Sequence, residues 1–191
     1  MPERRSTARR RTVALQAAAL SCALWLGIGW LRHRWPTWPP GSGPDGDWRG
    51  GLRLLLALSL GWPALLGIGA ASLLAHCAGW GPALGAQAAL LRAALSALSP
   101  LAALRTAGPL LHIRDDLRGL RGWQLLVLAV LSTLYWELPD AALLVHAGVE
   151  HADPTSLLRR VGVDLAATLG LIYAAGYAWH VYARRIAHDA A

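Results

Sequence analysis

Apolar residues fall into long runs, separated by short stretches rich in arginine, proline, glycine or acidic residues. A bilayer core about 30 Å thick is crossed by roughly 20 apolar residues in a helix. Four runs have this length and predict membrane-spanning helices over residues 13–31, 54–75, 123–144 and 161–183. The pattern therefore predicts an all-α, polytopic membrane protein with one transmembrane domain over residues 13–185. Short cytoplasmic tails, residues 1–12 and 186–191, are expected on either side.

A fifth apolar run, residues 83–104, is long enough to span but holds Arg92 near its middle. On an insertion scale its seven leucines contribute about −3.5 kcal/mol, while the central arginine costs about +3 kcal/mol and polar neighbours add more. Leucines and alanines form one helical stripe, whereas Arg92, Ser96 and Ser99 fall on another face. We therefore predict an amphipathic helix lying in the cytoplasmic interface, with a fifth span as the alternative.

The distribution of charge predicts the orientation of the four spans. All 18 basic residues are arginines, and the formal net charge is +7. Residues 76–121 hold five arginines against two aspartates, whereas residues 137–158 hold four acidic residues and no arginine. Because positively charged loops favour the cytoplasm, both chain ends are predicted to lie there. The exclusive use of arginine is typical of a GC-rich genome and suggests a bacterial inner membrane.

The first apolar run and the loop after it carry further signals. The run is too long for a signal peptide, so an uncleaved first helix is expected. In the loop, Trp35, Trp38 and Trp48 predict an aromatic belt at one membrane interface. A stacking platform for a carbohydrate or another ligand is the alternative.

Three acidic residues lie at or near membrane depth. Glu137 and Asp140 flank Pro139 at the end of the third predicted span. They mark either the exit of a helix into water, which we expect, or an ion or proton path. Asp164 lies near the start of the last predicted helix, where the helix dipole stabilises a carboxylate.

Seven histidines raise the hypothesis of a transmembrane b-type heme, which needs two axial histidines on facing helices. The candidates are His76 and His180, each near one end of a predicted span. Bacterial four-helix cytochromes of the b561 kind carry a histidine in the first helix, and residues 13–31 contain none. No metal-ligand spacing, HExxH, GxSxG or glycine-rich phosphate loop is found either. We therefore predict no cofactor, no metal site and no catalytic centre.

Small residues recur every four positions in the last predicted span, at Ala166, Gly170, Ala174 and Ala178. Lipid provides no hydrophobic driving force between helices, so such a stripe indicates close packing against another helix. The sequence favours a non-catalytic subunit or accessory factor of a larger transport or respiratory complex, with other membrane subunits as partners. The alternatives are a heme-bearing electron-transfer anchor and a small transporter acting alone. Arginines cluster at the ends of apolar segments, which argues against a nucleic-acid partner.

The stretch His112-Ile113-Arg114-Asp115-Asp116 resembles a sequence in the small membrane subunits of tripartite, binding-protein-dependent secondary transporters. In that family His-Ile-x-x-Asp follows the second span. The resemblance implies a four-helix protein with both ends in the cytoplasm and interfacial arm helices. This chain departs from the family because residues 79–104 intervene before the motif. It also has Asp47-Trp48-Arg49 where an acid-rich approach to the second span is expected.

Overall fold

The computed structural model describes the backbone of residues 2–34, 49–113, 120–151 and 153–189, and within these ranges the side chains of residues 11–177. This part of the chain forms six α-helices and no strand, which confirms the all-α prediction. The helices are α1 (Pro2–Arg34), α2 (Gly50–Leu60), α3 (Trp62–Cys77), α4 (Ala86–Leu111), α5 (Gly122–His146) and α6 (Pro154–Asp189).

Three helices of the described chain are long and apolar enough to cross a membrane: Arg11–Arg34 of α1, the whole of α4 and the whole of α5. Two predicted spans, residues 13–31 and 123–144, lie in α1 and α5. Residues 161–183 lie within α6. Because α1 begins at Pro2 and α6 ends at Asp189, the predicted terminal tails are largely helical extensions of these helices.

The apolar run over residues 54–75 does not form the single helix that we predicted. Helix α2 ends at Leu60. The next residue, Gly61, has a φ of +68°, and α3 begins immediately after it with Pro63 in its first turn. A positive φ is readily adopted by glycine and strained for residues with a Cβ atom. The Gly61-Trp62-Pro63 sequence therefore ends one helix and starts the next.

Helices α2 and α3 form a hairpin whose two ends lie together. A Cβ atom placed on Gly29 would lie 3.6 Å from Nη1 of Arg49 and 3.8 Å from Cε3 of Trp80. If residues 50–77 were one straight helix, its ends would stand about 40 Å apart at ~1.5 Å per residue. The chain thus reverses at Gly61 and returns to the side of the bundle from which α2 started.

The structure also differs from the predicted interfacial helix over residues 83–104. These residues belong largely to α4, which packs against both α3 and α5. Near its start, Arg92 hydrogen-bonds to Asp140 in the second half of α5. At its end, the Leu111 carbonyl accepts a hydrogen bond of 3.0 Å from Nε2 of Gln124 in the first turn of α5. Helix α4 is therefore an antiparallel neighbour of α5 within the bundle.

Several helix ends meet on one side of the bundle, which we call the Trp80 side. The ring of His33, at the end of α1, stacks on Trp80 with ring centroids 5.9 Å apart. Leu84, just before α4, packs in one cluster with Leu144, near the end of α5. The opposite side, which we call the His112 side, holds the turn of the α2–α3 hairpin and the end of α4.

Helix α6 starts on the Trp80 side from a capped turn. The carboxylate of Asp153 accepts hydrogen bonds from the backbone N–H groups of Thr155 and Ser156, at 3.0 and 3.1 Å. The hydrogen bond from the Thr155 hydroxyl, followed by that from its backbone N–H, holds the pKa of Asp153 below its usual value. Arg160 contacts Glu150 and ties the first turns of α6 to the segment that follows α5. The cap is therefore formed at neutral pH and is lost when Asp153 is protonated.

Close packing between α1 and α3 depends on Gly67. A Cβ atom at this position would overlap the carbonyl oxygen of Ala18 and lie 2.8 Å from Cβ of Ser21. The two helices run in the same direction, and above this contact the buried Trp25 ring packs with Ile68. A small residue at Gly67 thus lets α3 approach the backbone of α1.

The hairpin predicts which loops share a membrane side. In a chain whose two native cysteines are replaced by alanine, Gly85→Cys and Gly148→Cys should react with an impermeant maleimide from the same side of a sealed vesicle. His112→Cys should react from the other side. Labelling of Gly85→Cys together with His112→Cys would instead support one continuous span over residues 54–75.

Substitution of Gly67 should weaken the α1–α3 contact. Gly67→Leu is expected to lower the free energy of unfolding by about 3 kcal/mol, the upper range for an overpacked core, because the side chain meets backbone atoms. The measurement is thermal unfolding in detergent. Gly27→Leu is the matched control, since a Cβ atom on Gly27 of α1 meets nothing within 4 Å. Equal melting temperatures for the two variants would contradict the packing described here.

Candidate functional site

A buried arginine lies at the centre of the bundle. The Arg53 side chain is 1% exposed, and its Cζ atom lies 4.1 Å from the ring centroid of Trp136 and 5.6 Å from that of Trp25. Its Nη2 atom is 3.6 Å from Oδ2 of Asp164, which is fully buried. A guanidinium over aromatic faces and beside a carboxylate is stabilised by cation–π attraction and by Coulomb attraction.

The first turn of α2 brings this arginine against α6. A Cβ atom on Gly51 would lie 2.7 Å from Cα of Thr168, and one on Gly50 would overlap the Asp164 carboxylate. Two glycines at the start of α2 therefore permit near contact between the backbones of the two helices. Asp164 consequently lies at the N-terminus of α2, where the helix dipole favours a negative charge.

The predicted environment of Asp164 is wrong in one respect. We expected it near the start of its own helix, but α6 begins at Pro154 and Asp164 lies in the third turn. The helix dipole still acts on this carboxylate, although the dipole is that of α2. The position is also buried against Arg53, so the carboxylate is part of the central cluster.

A second ion pair connects α4 to α5. Nε of Arg92 donates to Oδ1 of Asp140 at 2.6 Å, and Nη2 donates to Oδ2 at 3.1 Å. Such a bidentate pair fixes both side chains in one geometry. The Arg92 guanidinium also lies 5.6 Å from the Trp136 ring, so Trp136 contacts two arginines.

Glu137 and Asp140 do not leave the membrane for water as we expected. Each side chain is only 2% exposed. The neighbouring Trp136, whose ring lies near Arg53 of α2 and Arg92 of α4, is 3% exposed. Their burial contradicts the simple helix exit. Asp140 is held by two hydrogen bonds from Arg92, and an ion or proton path through Glu137 and Asp140 stays a prediction.

A cavity of about 40 Å³ lies beside Arg49 and Arg92 on the Trp80 side. Residues from α1, α3, α4, α5 and the segment before α2 line it. The polar and aromatic members are Trp25, Arg49, Ser72, His76, Trp80, Arg92, Ser96 and Trp136. The Cζ atom of Arg49 lies 4.9 Å from the ring centroid of Trp25. The cavity thus joins two cations, indole rings and hydroxyl groups.

The two heme candidates are not brought together by any described contact. His76 lines the cavity near Trp80, whereas the side chain of His180 lies outside the described residues. Within the described ranges, no three His, Cys, Asp or Glu side chains are grouped so that they could hold a metal ion. The pairing of His76 with His180 stays a prediction.

The small-residue stripe of α6 does not face another helix of the described chain. Ala166, Gly170 and Ala174 are exposed, and a Cβ atom on Gly170 meets nothing within 4 Å. The side chain of Ala178 lies outside the described residues. Close helix packing is instead provided by glycines that we did not select, Gly51 and Gly67.

Sequence reasoning also missed the arginines and tryptophans of the centre. Arg49 and Arg53 were assigned to the end of a loop, although their four-residue spacing places them on one face of a helix. The His112–Asp116 motif is described only through Ile113, so its resemblance is not tested.

The fold and the buried centre define an α-helical protein with apolar helices suited to a membrane and an arginine–tryptophan cluster inside the bundle. No known family model matches this chain, and neither the curated proteins nor the solved structures include a match. The site must therefore be interpreted from its own chemistry.

The Arg53–Asp164 pair predicts a strong non-additivity. Arg53→Met leaves a buried carboxylate without this cation and should lower the free energy of unfolding by about 3–5 kcal/mol. Asp164→Asn should cost a similar amount. The double variant should lose much less than the sum of the two single losses, because neither charge remains. Additive losses in detergent melts would show that the two groups do not stabilise each other.

Proposed function

We propose that this protein is a non-catalytic subunit or accessory factor of a larger transport or respiratory complex in a bacterial inner membrane. The observation that carries the proposal is the exposed middle of α6. Residues 173–177 are all exposed, and Tyr173 and Tyr177 are 77% and 64% exposed. On the preceding turns, the exposed Ala166 and Gly170 extend this surface.

Tyr173 lies near the middle of the span proposed for α6. It lies thirteen residues after Arg160 and eleven before Arg184. At ~1.5 Å per residue these separations are about 20 Å and 16 Å, so Tyr173 is near the middle of a span bounded by the two arginines. A hydroxyl facing hydrocarbon at this depth has no water to bond to.

A partner helix would supply what this surface lacks. Small side chains allow two helix backbones to come close, and hydrogen bonds between side chains then add about 0.6–2 kcal/mol each in membranes. Tyr173 and Tyr177 offer hydroxyls on such a surface. The favoured partner is therefore a membrane-spanning helix with small residues and a side-chain acceptor.

The proposed orientation places the His112 side in the cytoplasm. Both arginine-rich chain ends and the arginines between α4 and α5 are assigned to that side if α1 and α6 cross the membrane. Positively charged segments favour the cytoplasm. The orientation agrees with cytoplasmic chain ends, while the loop before α4 moves to the outer side.

The experiment compares Gly170→Leu with Gly27→Leu, since both glycines are exposed and have no neighbour within 4 Å of an added Cβ atom. Both variants should keep the melting temperature of the isolated chain. Gly170→Leu should reduce recovery of a stoichiometric partner during affinity purification by at least about tenfold, because ~1.4 kcal/mol of lost helix packing is enough. Gly27→Leu should leave recovery unchanged.

A crosslinking measurement locates the contact. A photoreactive residue in place of Tyr173 should form one discrete adduct with the partner, whereas the same residue at Leu20, an exposed position on α1, should not. Unchanged recovery for Gly170→Leu, together with no adduct at Tyr173, would mean that α6 faces lipid. The proposed subunit role would then lose its physical basis.

A further inference from the structure

A groove opens on the His112 side between the turn of the α2–α3 hairpin and the second half of α4. Nearer the Trp80 side the two helices are in contact, since the hydroxyl oxygens of Ser72 and Ser96 lie 3.3 Å apart. A Cβ atom on Gly69 would lie 3.6 Å from that of Ala97. Beyond these contacts the helices enclose a cavity of about 960 Å³, which we call the α3–α4 groove. Its volume is near the upper end of the roughly 300–1,000 Å³ typical of small-molecule pockets.

One face of α4 forms a wall of this groove. Its members follow the three- and four-residue spacing of a single helix face and are Leu101, Leu104, Arg105 and Gly108. The fully buried Ala103 and Ala107 lie on the opposite face, in a cluster with residues of α2 and α5. The core of the bundle therefore uses the other face of α4, and the groove face is available to a ligand.

Arg105 is the charged member of the groove face. Its side chain is exposed, and none of the described residues that line the groove is acidic. Arg53 and Arg92 differ from it, since each lies beside an aspartate. His112 follows Gly108 by one turn and has a ring N–H that can donate a hydrogen bond. The described wall thus offers a cation and a second donor to an anionic group.

The groove runs from the membrane interface towards hydrocarbon if α4 crosses the bilayer. Trp62, which is 65% exposed, lines its mouth, and indole rings favour the interface. Arg105 lies six residues before the end of α4 at Leu111, which is about 9 Å at ~1.5 Å per residue. From this depth an arginine can keep its stem along apolar surface and reach the head groups with its charged end. The groove therefore suits a ligand with an anionic end and an apolar body.

We propose that the α3–α4 groove binds one anionic phospholipid, with its phosphate at Arg105 and His112 and the upper part of an acyl chain against the leucines. Arginine donates to two phosphate oxygens at once, and basic pockets between membrane helices bind anionic head groups. A zwitterionic lipid would bring a cationic group to the same mouth, where no described lining residue is acidic. The site does not depend on the proposed subunit role, because no residue of α6 is among the described lining residues.

The test measures lipid binding to the full chain. The purified chain is stripped of lipid in detergent and titrated with phosphatidylglycerol or with phosphatidylcholine of the same acyl chains, and native mass spectrometry counts the bound lipids. One phosphatidylglycerol should bind at least about tenfold more tightly than phosphatidylcholine. In phosphatidylcholine nanodiscs, added phosphatidylglycerol should raise the melting temperature along a saturating curve, because a ligand that binds the folded state stabilises it.

Charge variants identify the head-group contact. Arg105→Gln should weaken phosphatidylglycerol binding by about tenfold or more, as expected for hydrogen bonds to a charged group, whereas Arg105→Lys should retain part of the affinity. Arg11→Gln is the matched control, since Arg11 is exposed near the start of α1, on the His112 side, and does not line the groove. It removes the same charge and should leave the affinity unchanged.

A volume variant tests the apolar part of the site. A Cβ atom on Gly108 meets nothing within 4 Å, so Gly108→Leu should fold and place its side chain in the groove. This variant should keep its melting temperature in phosphatidylcholine nanodiscs and lose most of the rise caused by phosphatidylglycerol. Gly27→Leu puts the same side chain on the exposed face of α1 and should keep that rise.

Three results would overturn the proposal. Equal affinities for the two lipids, or equal losses in Arg105→Gln and Arg11→Gln, would mean that a basic chain attracts anionic lipid without a site. Unchanged phosphatidylglycerol binding in Gly108→Leu would place the lipid outside the groove. Inorganic phosphate is the probe for a free anion, and stabilisation by phosphate equal to that by phosphatidylglycerol would rule out the lipid as the specific ligand.

Discussion

Arg53 carries its guanidinium into a region that water does not reach, and this burial sets what the surrounding helices must supply. An uncompensated charge in such surroundings is too costly to persist. Compensation comes from three directions, with Trp25 on α1, Trp136 on α5 and Asp164 on α6. Because one side chain of α2 needs partners from three other helices, the positions of α1, α5 and α6 around α2 are linked. The glycines in the first turn of α2 make the approach to α6 sterically feasible.

The path of the chain between α1 and α4 could not be predicted from the length of its apolar run. The 22 residues from 54 to 75 satisfy the length criterion for one span whether they form one helix or two. The deciding residue is Gly61, and sequences such as Gly61-Trp62-Pro63 are also tolerated inside kinked membrane helices. In the proposed orientation, the reversal at Gly61 and the crossing of α4 cancel. Only the loop before α4 changes side, and the later segments keep the sides that the charge argument gave them.

Only part of the buried centre could be predicted. The sequence shows that Glu137 and Asp140 are acidic residues at the end of an apolar run, but it does not show which residues surround them. An insertion scale gives Arg92 a cost of about 3 kcal/mol because it treats the helix as alone in lipid. In the structure Asp140, 48 positions away, accepts two hydrogen bonds from that guanidinium. The cost assigned to the isolated helix therefore does not apply inside the bundle. Which distant residues form a pair depends on the fold, so the spacing of residues along the chain does not predict such pairs.

Helix α6 has two faces with different requirements, and its small-residue stripe lies on the exposed one. Asp164 and Thr168 face α2 and are buried, whereas Ala166 and Gly170 lie two residues further on, about 200° around the helix, and are exposed. The same stretch of helix thus carries an ion pair on one side and a smooth surface on the other. A helix is stiff over so short a length, so a partner that displaced the exposed face would also displace Asp164 relative to Arg53. Because the ion pair resists that displacement, the buried centre holds the exposed face of α6 in a fixed position for a partner to recognise.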